Sequence, residues 1–167
     1  DRMLRAIGVN MHDGVHIRPS LPQPTGGIDH RHHRTAQDRP AAGQTCIAGS
    51  RVFAHRSVYD ELLQRVSERA KSIVMGDPMD PQTEIGPLAF ADQRDKVAGY
   101  VDLGRSEGAR VLTGGCSSDG GLGGYFYAPT VLVDVNNDMQ VVREEIFGPV
   151  AAIMPFDTED EVVALAN

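Results

Sequence analysis

An α/β layered fold is what the sequence predicts for residues 41–167, and three observations carry the prediction. Short apolar runs bounded by turn residues alternate with longer segments whose apolar residues recur at helical spacing. Capping residues and glycines punctuate the longer segments. The chain of 167 residues is 41% hydrophobic and 23% charged, an ordinary balance for a globular chain that buries a core.

The elements follow in order from Ala41. RVFAH (Arg51–His55) reads as a strand. Ser57 is expected to cap a helix, with Asp60 as the acidic half of a capping box. Val58, Leu62, Leu63, Val66, Ala70 and Val74 fall on one face of it, and Gly76 is expected to end it. GDPMDPQTEIGPL (Gly76–Leu88) is an irregular connection punctuated by prolines. A second helix is expected from about Asp92 to Arg105, with Val97, Tyr100, Val101 and Leu103 as its apolar positions. ARVLTGG is a short strand, CSSDGGLGG a flexible turn, and YFYAPTVLVDV one strand or two. VAAIMPF (Val150–Phe156) is a buried strand. Thr158, with Glu161 behind it, starts a last helix.

Residues 1–40 are different. They contain no Glu and no Lys, hold five of the six histidines, and carry six Arg against four Asp. The remainder carries ten basic against nineteen acidic residues. LPQPTGGIDHRHHRTAQDRP has neither helical nor strand periodicity, so this segment is expected to be irregular or disordered and is left unassigned. In HRHHR the adjacent histidines lack ligand spacing and the interleaved arginines repel cations, so no metal site is expected at His30, His32 and His33. His12 and His16 stand four apart, but Gly14 and Pro19 make a poor helix there.

A net charge of −7 argues against nucleic acid or an anionic membrane as partner. No apolar run approaches the roughly 20 residues of a membrane span, and the N-terminus shows no secretory pattern. Two cysteines make no disulfide framework, so a reducing cytoplasm is the expected compartment.

Two stretches carry candidate chemistry. In AAGQTCIAGSR, Cys46 sits among small and polar residues, and Gly43 and Gly49 let backbone approach a ligand closely. Cys46 is either a small buried hydrophobe or an accessible nucleophile. In VVREEIFGPV, two carboxylates precede an aromatic and a Gly-Pro turn. This is either a solvated acidic turn or a pair of ribose hydroxyls' acceptor beside an aromatic wall. Cys116, in the glycine-rich turn, has no nearby base or metal partner and is read as incidental.

In this order, GQTCIAGSR, GDPMDPQTEIGPL and REEIFGPV resemble the aldehyde dehydrogenase superfamily, over Ala41 to Asn167 and with Cys46 and Glu145 99 positions apart. The resemblance implies a Rossmann-like three-layer α/β/α catalytic domain, here truncated at both ends. It implies that Cys46 is the nucleophile, passing through a thiohemiacetal and a thioester, with its backbone N–H in the oxyanion hole. It implies that Glu145 holds the nicotinamide ribose and that Phe147 flanks the nicotinamide end. Glu144 is read as a surface charge. The implied reaction is oxidation of an aldehyde to a carboxylic acid with NAD or NADP, by a homo-oligomer in the full-length family. The family's dinucleotide domain, oxyanion asparagine and general-base glutamate have no counterpart here, so the chain alone is expected to be inactive. Residues 1–40 are expected to be non-native, the product of a shifted reading frame, with a genuine divergent arm as the alternative; reading the other two DNA frames upstream of Ala41 tests this. The alternative is a non-enzymatic fragment that at most associates with full-length relatives. A weaker one is a superfamily member forming acyl-CoA or acting on a phosphorylated substrate.

Overall fold

The computed structural model describes residues 6–10, 14–16, 41–117 and 123–167. Its strands are β1 (Ala6–Asn10), β2 (Gly14–His16), β3 (Arg51–His55), β4 (Arg110–Thr113), β5 (Thr130–Val133) and β6 (Val150–Phe156). They form one sheet in the order β2-β1-β3-β6-β5-β4. The three central strands, β3, β6 and β5, are parallel, and the pairings at both edges are antiparallel. The helices are α1 (Arg56–Ser72), α2 (Ala91–Glu107), α3 (Gln140–Arg143) and α4 (Glu159–Ala166).

Strand alternation sorts the core into two layers. Phe53, Leu132, Ala152, Met154 and Phe156 pack with Val97 and Val101 of α2 and Val162 and Ala166 of α4. Val131, Val133 and Ile153 point the other way, onto Tyr59, Leu62, Leu63, Val66 and Ala70 of α1. Helices therefore cover both faces, as the expected α/β/α arrangement requires, and β6, whose residues divide between the two clusters, is the central strand. Parallel strands joined by helical crossovers need this double cover.

Several details depart from the sequence expectation. The cap of α1 is His55, not Ser57: its Nδ1 accepts from the Ser57 backbone N–H at 3.2 Å and lies 2.8 Å from the Ser57 hydroxyl. Because β3 runs straight into α1, the last strand residue is also the capping residue. The helix stops at Ser72 rather than reaching Gly76. Val74 leaves it because its carbonyl accepts from Glu84 and Ile85 N–H at 2.8 and 3.1 Å. Gly76 instead serves a close approach, since a Cβ there would stand 2.6 Å from Thr83 Oγ1. α2 runs one residue earlier and two later than expected, ending at Gly108 with φ 104°. α3 has no sequence signature of its own; the Glu107 carboxylate accepts from the N–H groups of Gln140 and Val141 and holds its first turn. YFYAPTVLVDV yields one strand, Thr130–Val133, with a lone bridge from Tyr127 to Ser117.

Within the first forty residues, β1 pairs antiparallel with β3, and β2 with β1, where the sequence showed no periodic element. Gly8 inside β1 and Gly14 at the start of β2 weaken the strand signal of these short segments; an available edge on β3 decides them. The expectations for 17–40, including Pro19 and HRHHR, for His12, and for 118–122 of the glycine-rich turn lie outside the described residues.

The capping box of α4 is present as expected. Glu161 N–H donates to Thr158 Oγ1 at 3.2 Å, and Thr158 N–H to Glu161 Oε2 at 3.4 Å. Thr158→Ala is expected to cost about 1 kcal/mol, seen in thermal unfolding as a fall of roughly 2–4 °C in Tm. An unchanged Tm would mean that the box contributes nothing here.

Candidate active site

The cysteine loop leaves the core at Ala42, which is 3% exposed, and turns sharply. Ala42 and Gly43 take φ of 50° and 72°, and Gln44 N–H closes the turn on the Ala41 carbonyl at 2.9 Å. The Gln44 side chain anchors this turn, its Oε1 accepting from Ala89 N–H at 3.1 Å. A second turn follows at once, with Ala48 N–H donating to the Thr45 carbonyl at 2.8 Å. Cys46 occupies the middle of that second turn, with its side chain exposed. Among the described residues neither its thiol nor its backbone N–H has a hydrogen-bond partner. The buried-hydrophobe reading of Cys46 therefore fails.

The acidic turn is built differently. Glu144 is tied down: the Tyr100 hydroxyl donates to its Oε2 at 2.7 Å and Gln140 Nε2 to its Oε1 at 2.9 Å. Those two donors, Tyr100 foremost, hold its carboxyl below the usual range. Glu145 is exposed, and its carboxylate has no partner among the described residues. Phe147 is half-buried and takes φ 56°, a left-handed conformation unusual for a bulky side chain. Gly148 is buried against Val97, and Pro149 passes its carbonyl to Thr130 N–H at 2.8 Å.

One contact joins the two motifs. A Cβ on Gly43 would stand 2.0 Å from the Gly148 carbonyl oxygen and 2.9 Å from Pro149 N. The backbones are in direct apposition, so the glycine that sequence reading assigned to ligand approach in fact meets the other motif. Both loops then wall one groove of about 580 Å³. Thr45, Ala48 and Gly49 line it from the cysteine loop, and Glu145 and Phe147 from the acidic turn. Val66 and Ala70 of α1 and Ile73 just past its end line its apolar side, and Arg65 and Arg69 are also among its lining residues. Cys46 is not itself a wall residue; it stands on the turn whose neighbours are. Arg69 is bound to Glu84, at 2.6 Å, and Arg65 to Glu61.

The family model for the aldehyde dehydrogenase family matches residues 39–167. The chain belongs to the aldehyde dehydrogenase family. Solved structures agree. A point mutant of aldehyde dehydrogenase from Bacillus cereus is 44% identical with a TM-score of 0.73, over 75% of this chain and 25% of that one. The NAD+ complex of aldehyde dehydrogenase from Bacillus cereus matches at 44% identity and a TM-score of 0.72, over the same shares. A betaine aldehyde dehydrogenase variant from Staphylococcus aureus, in complex with NAD+ and with a BME-modified cysteine, is 39% identical with a TM-score of 0.74, over 75% of this chain and 26% of that one. The chain thus spans about a quarter of the length of the solved chains it matches.

Sequence reading of this family member missed the residues that hold the acidic turn. Gln93 and Lys96 of α2 donate to its carbonyls. Their one signal was position, on the same helical face as Val97 and Tyr100. A polar residue beside an apolar stripe ordinarily marks only its solvent boundary.

Proposed function

We propose that residues 41–167 are the catalytic-domain portion of an NAD(P)-dependent aldehyde dehydrogenase, with Cys46 as nucleophile and Glu145 and Phe147 as cofactor contacts. The apposition of Gly43 with Gly148 carries this reading, because it puts the cysteine loop and the acidic turn on one groove. The NAD+ complexes among the similar structures support it.

The residues present fit the nicotinamide end of the cofactor. Glu145 offers a carboxylate with no competing partner among the described residues, which suits two vicinal ribose hydroxyls. Phe147 offers a half-buried aromatic wall beside it. When bound, NAD(P) supplies the acceptor for the hydride that leaves the aldehyde carbon. The chain's own contribution begins with Cys46. Its thiolate attacks the aldehyde carbon, a C–S bond forms, and the carbonyl electron pair moves onto oxygen. The Cys46 N–H, which has no partner among the described residues, is a donor available to that oxygen. After oxidation the carbon is held as a thioester, which water cleaves to the carboxylic acid and the free thiol. Two exposed thiols suit a reducing cytoplasm, and family resemblance favours a homo-oligomer.

Titration of the chain with nicotinamide mononucleotide, followed by ligand-observed NMR, tests the cofactor contact. Glu145→Gln removes a charged acceptor worth about 1.5–3 kcal/mol, so the dissociation constant is expected to rise about ten- to a hundredfold. Equal affinity in the two chains would remove Glu145 from the cofactor site.

A further inference from the structure

We propose that Gln93 is a positioning residue, fixing the backbone turn that directs Glu145 and Phe147 to the groove; the proposal rests on the cofactor reading above. Gln93, Lys96, Val97 and Tyr100 stand at i, i+3, i+4 and i+7 of α2, on one helical face. Together they meet five consecutive residues of the turn. Gln93 Nε2 donates to the carbonyls of Ile146 and Phe147 at 3.1 and 2.8 Å. Lys96 Nζ donates to the Glu145 carbonyl at 3.4 Å, and the Tyr100 hydroxyl to Glu144. Val97 occupies the space a side chain on Gly148 would need.

Gln93 has the controlling place because its two bonds flank the strained residue. Phe147 sits at φ 56°, where an aromatic side chain stays only if its surroundings over-determine it. A primary amide carries two N–H donors on one nitrogen, which matches two neighbouring carbonyls. Without it, both carbonyls lose a donor in a partly buried setting. Phe147 then relaxes to negative φ, and the peptide that carries Glu145 swings with it. Glu144, tied to Tyr100 and Gln140, cannot take over the groove position.

The test compares the unsubstituted chain with Gln93→Ala and with Gln93→Glu, which keeps the shape and removes both donors at neutral pH. Three quantities are read: hydrogen exchange of individual amides, nicotinamide mononucleotide affinity, and Tm. Both variants are expected to exchange at least about tenfold faster at Phe147 and Gly148, with the amides of β6 and the middle of α2 unchanged. Mononucleotide binding is expected to weaken about tenfold, the loss of roughly one hydrogen bond's net worth, at nearly constant Tm. Unchanged exchange at Phe147 and Gly148 overturns the proposal. So does a loss of protection spread through α2 and β6 with a lowered Tm, which marks a merely structural side chain. If the unsubstituted chain binds no mononucleotide, the cofactor reading of the groove falls. The exchange arm still decides whether Gln93 fixes the turn.

Discussion

Mixed with p-nitrophenyl acetate, the chain is expected to release one burst of p-nitrophenolate and then stall, with the acetyl group on Cys46. The thiolate attacks the ester carbonyl, a C–S bond forms, and the C–O bond to p-nitrophenolate breaks, one leaving group per acetylated thiol. Cys116 is the internal reference, because it too is an exposed free thiol. The difference lies in the Cys46 backbone N–H, which has no partner among the described residues and stands ready to donate to the developing oxyanion. A buried donor of this kind contributes about 10²–10³ in rate. One on an exposed turn contributes less, because water screens it. Cys46 is therefore expected to acetylate about ten- to a hundredfold faster than Cys116. Cys46→Ala is expected to lower the burst to the Cys116 background, and Cys116→Ser to leave it intact. Peptide mapping by mass spectrometry locates the acetyl group. Equal labelling of the two cysteines, or a burst that survives Cys46→Ala, would leave the nucleophile assignment without support.

The second large effect concerns the joint between the two motifs. Gly43→Ala adds a methyl group 2.0 Å from the Gly148 carbonyl oxygen, at a position whose φ is 72°. Both neighbours are backbone, so no flexible side chain can yield. Left-handed geometry at alanine costs about 1–2 kcal/mol, and overpacking adds about 1–3 kcal/mol. A loss of roughly 3 kcal/mol or more is expected in urea denaturation at unchanged m-value. Gly99→Ala is the control. It lies exposed on α2 with nothing within 4 Å of its added Cβ. It should stabilise the chain by about 0.5–1 kcal/mol through helix propensity. If the two substitutions behave alike, the loops are not packed as described, and the common groove loses its physical basis.

How much could be read in advance depended on how local each signal was. The strand at Val150–Phe156 and the capping box at Thr158 and Glu161 were legible because apolar runs and caps act over a few residues. The cap of α1 was misplaced for the opposite reason. Ser57 has the right chemistry, but the chain enters the helix directly from β3, and that puts His55 at the N-terminus. The early end of α1 depends on Glu84 and Ile85, ten or more residues downstream, competing for the Val74 carbonyl. Gly43 was singled out as a site of close approach, and its real neighbour, Gly148, is more than a hundred positions away.

By itself the amino-acid sequence determined the alternation of strands and helices, the helical covering of a sheet, and the small set of residues able to do thiol and ribose chemistry. These follow from periodicity, caps and side-chain type, which are properties of neighbouring residues. Tertiary structure alone decided that Glu144 is bound away while the Glu145 carboxylate has no partner among the described residues. It also decided that α2 holds the acidic turn and that two glycine backbones bring the motifs together. Each is a contact between distant segments, whose geometry exists only once the sheet has placed the loops on a common edge.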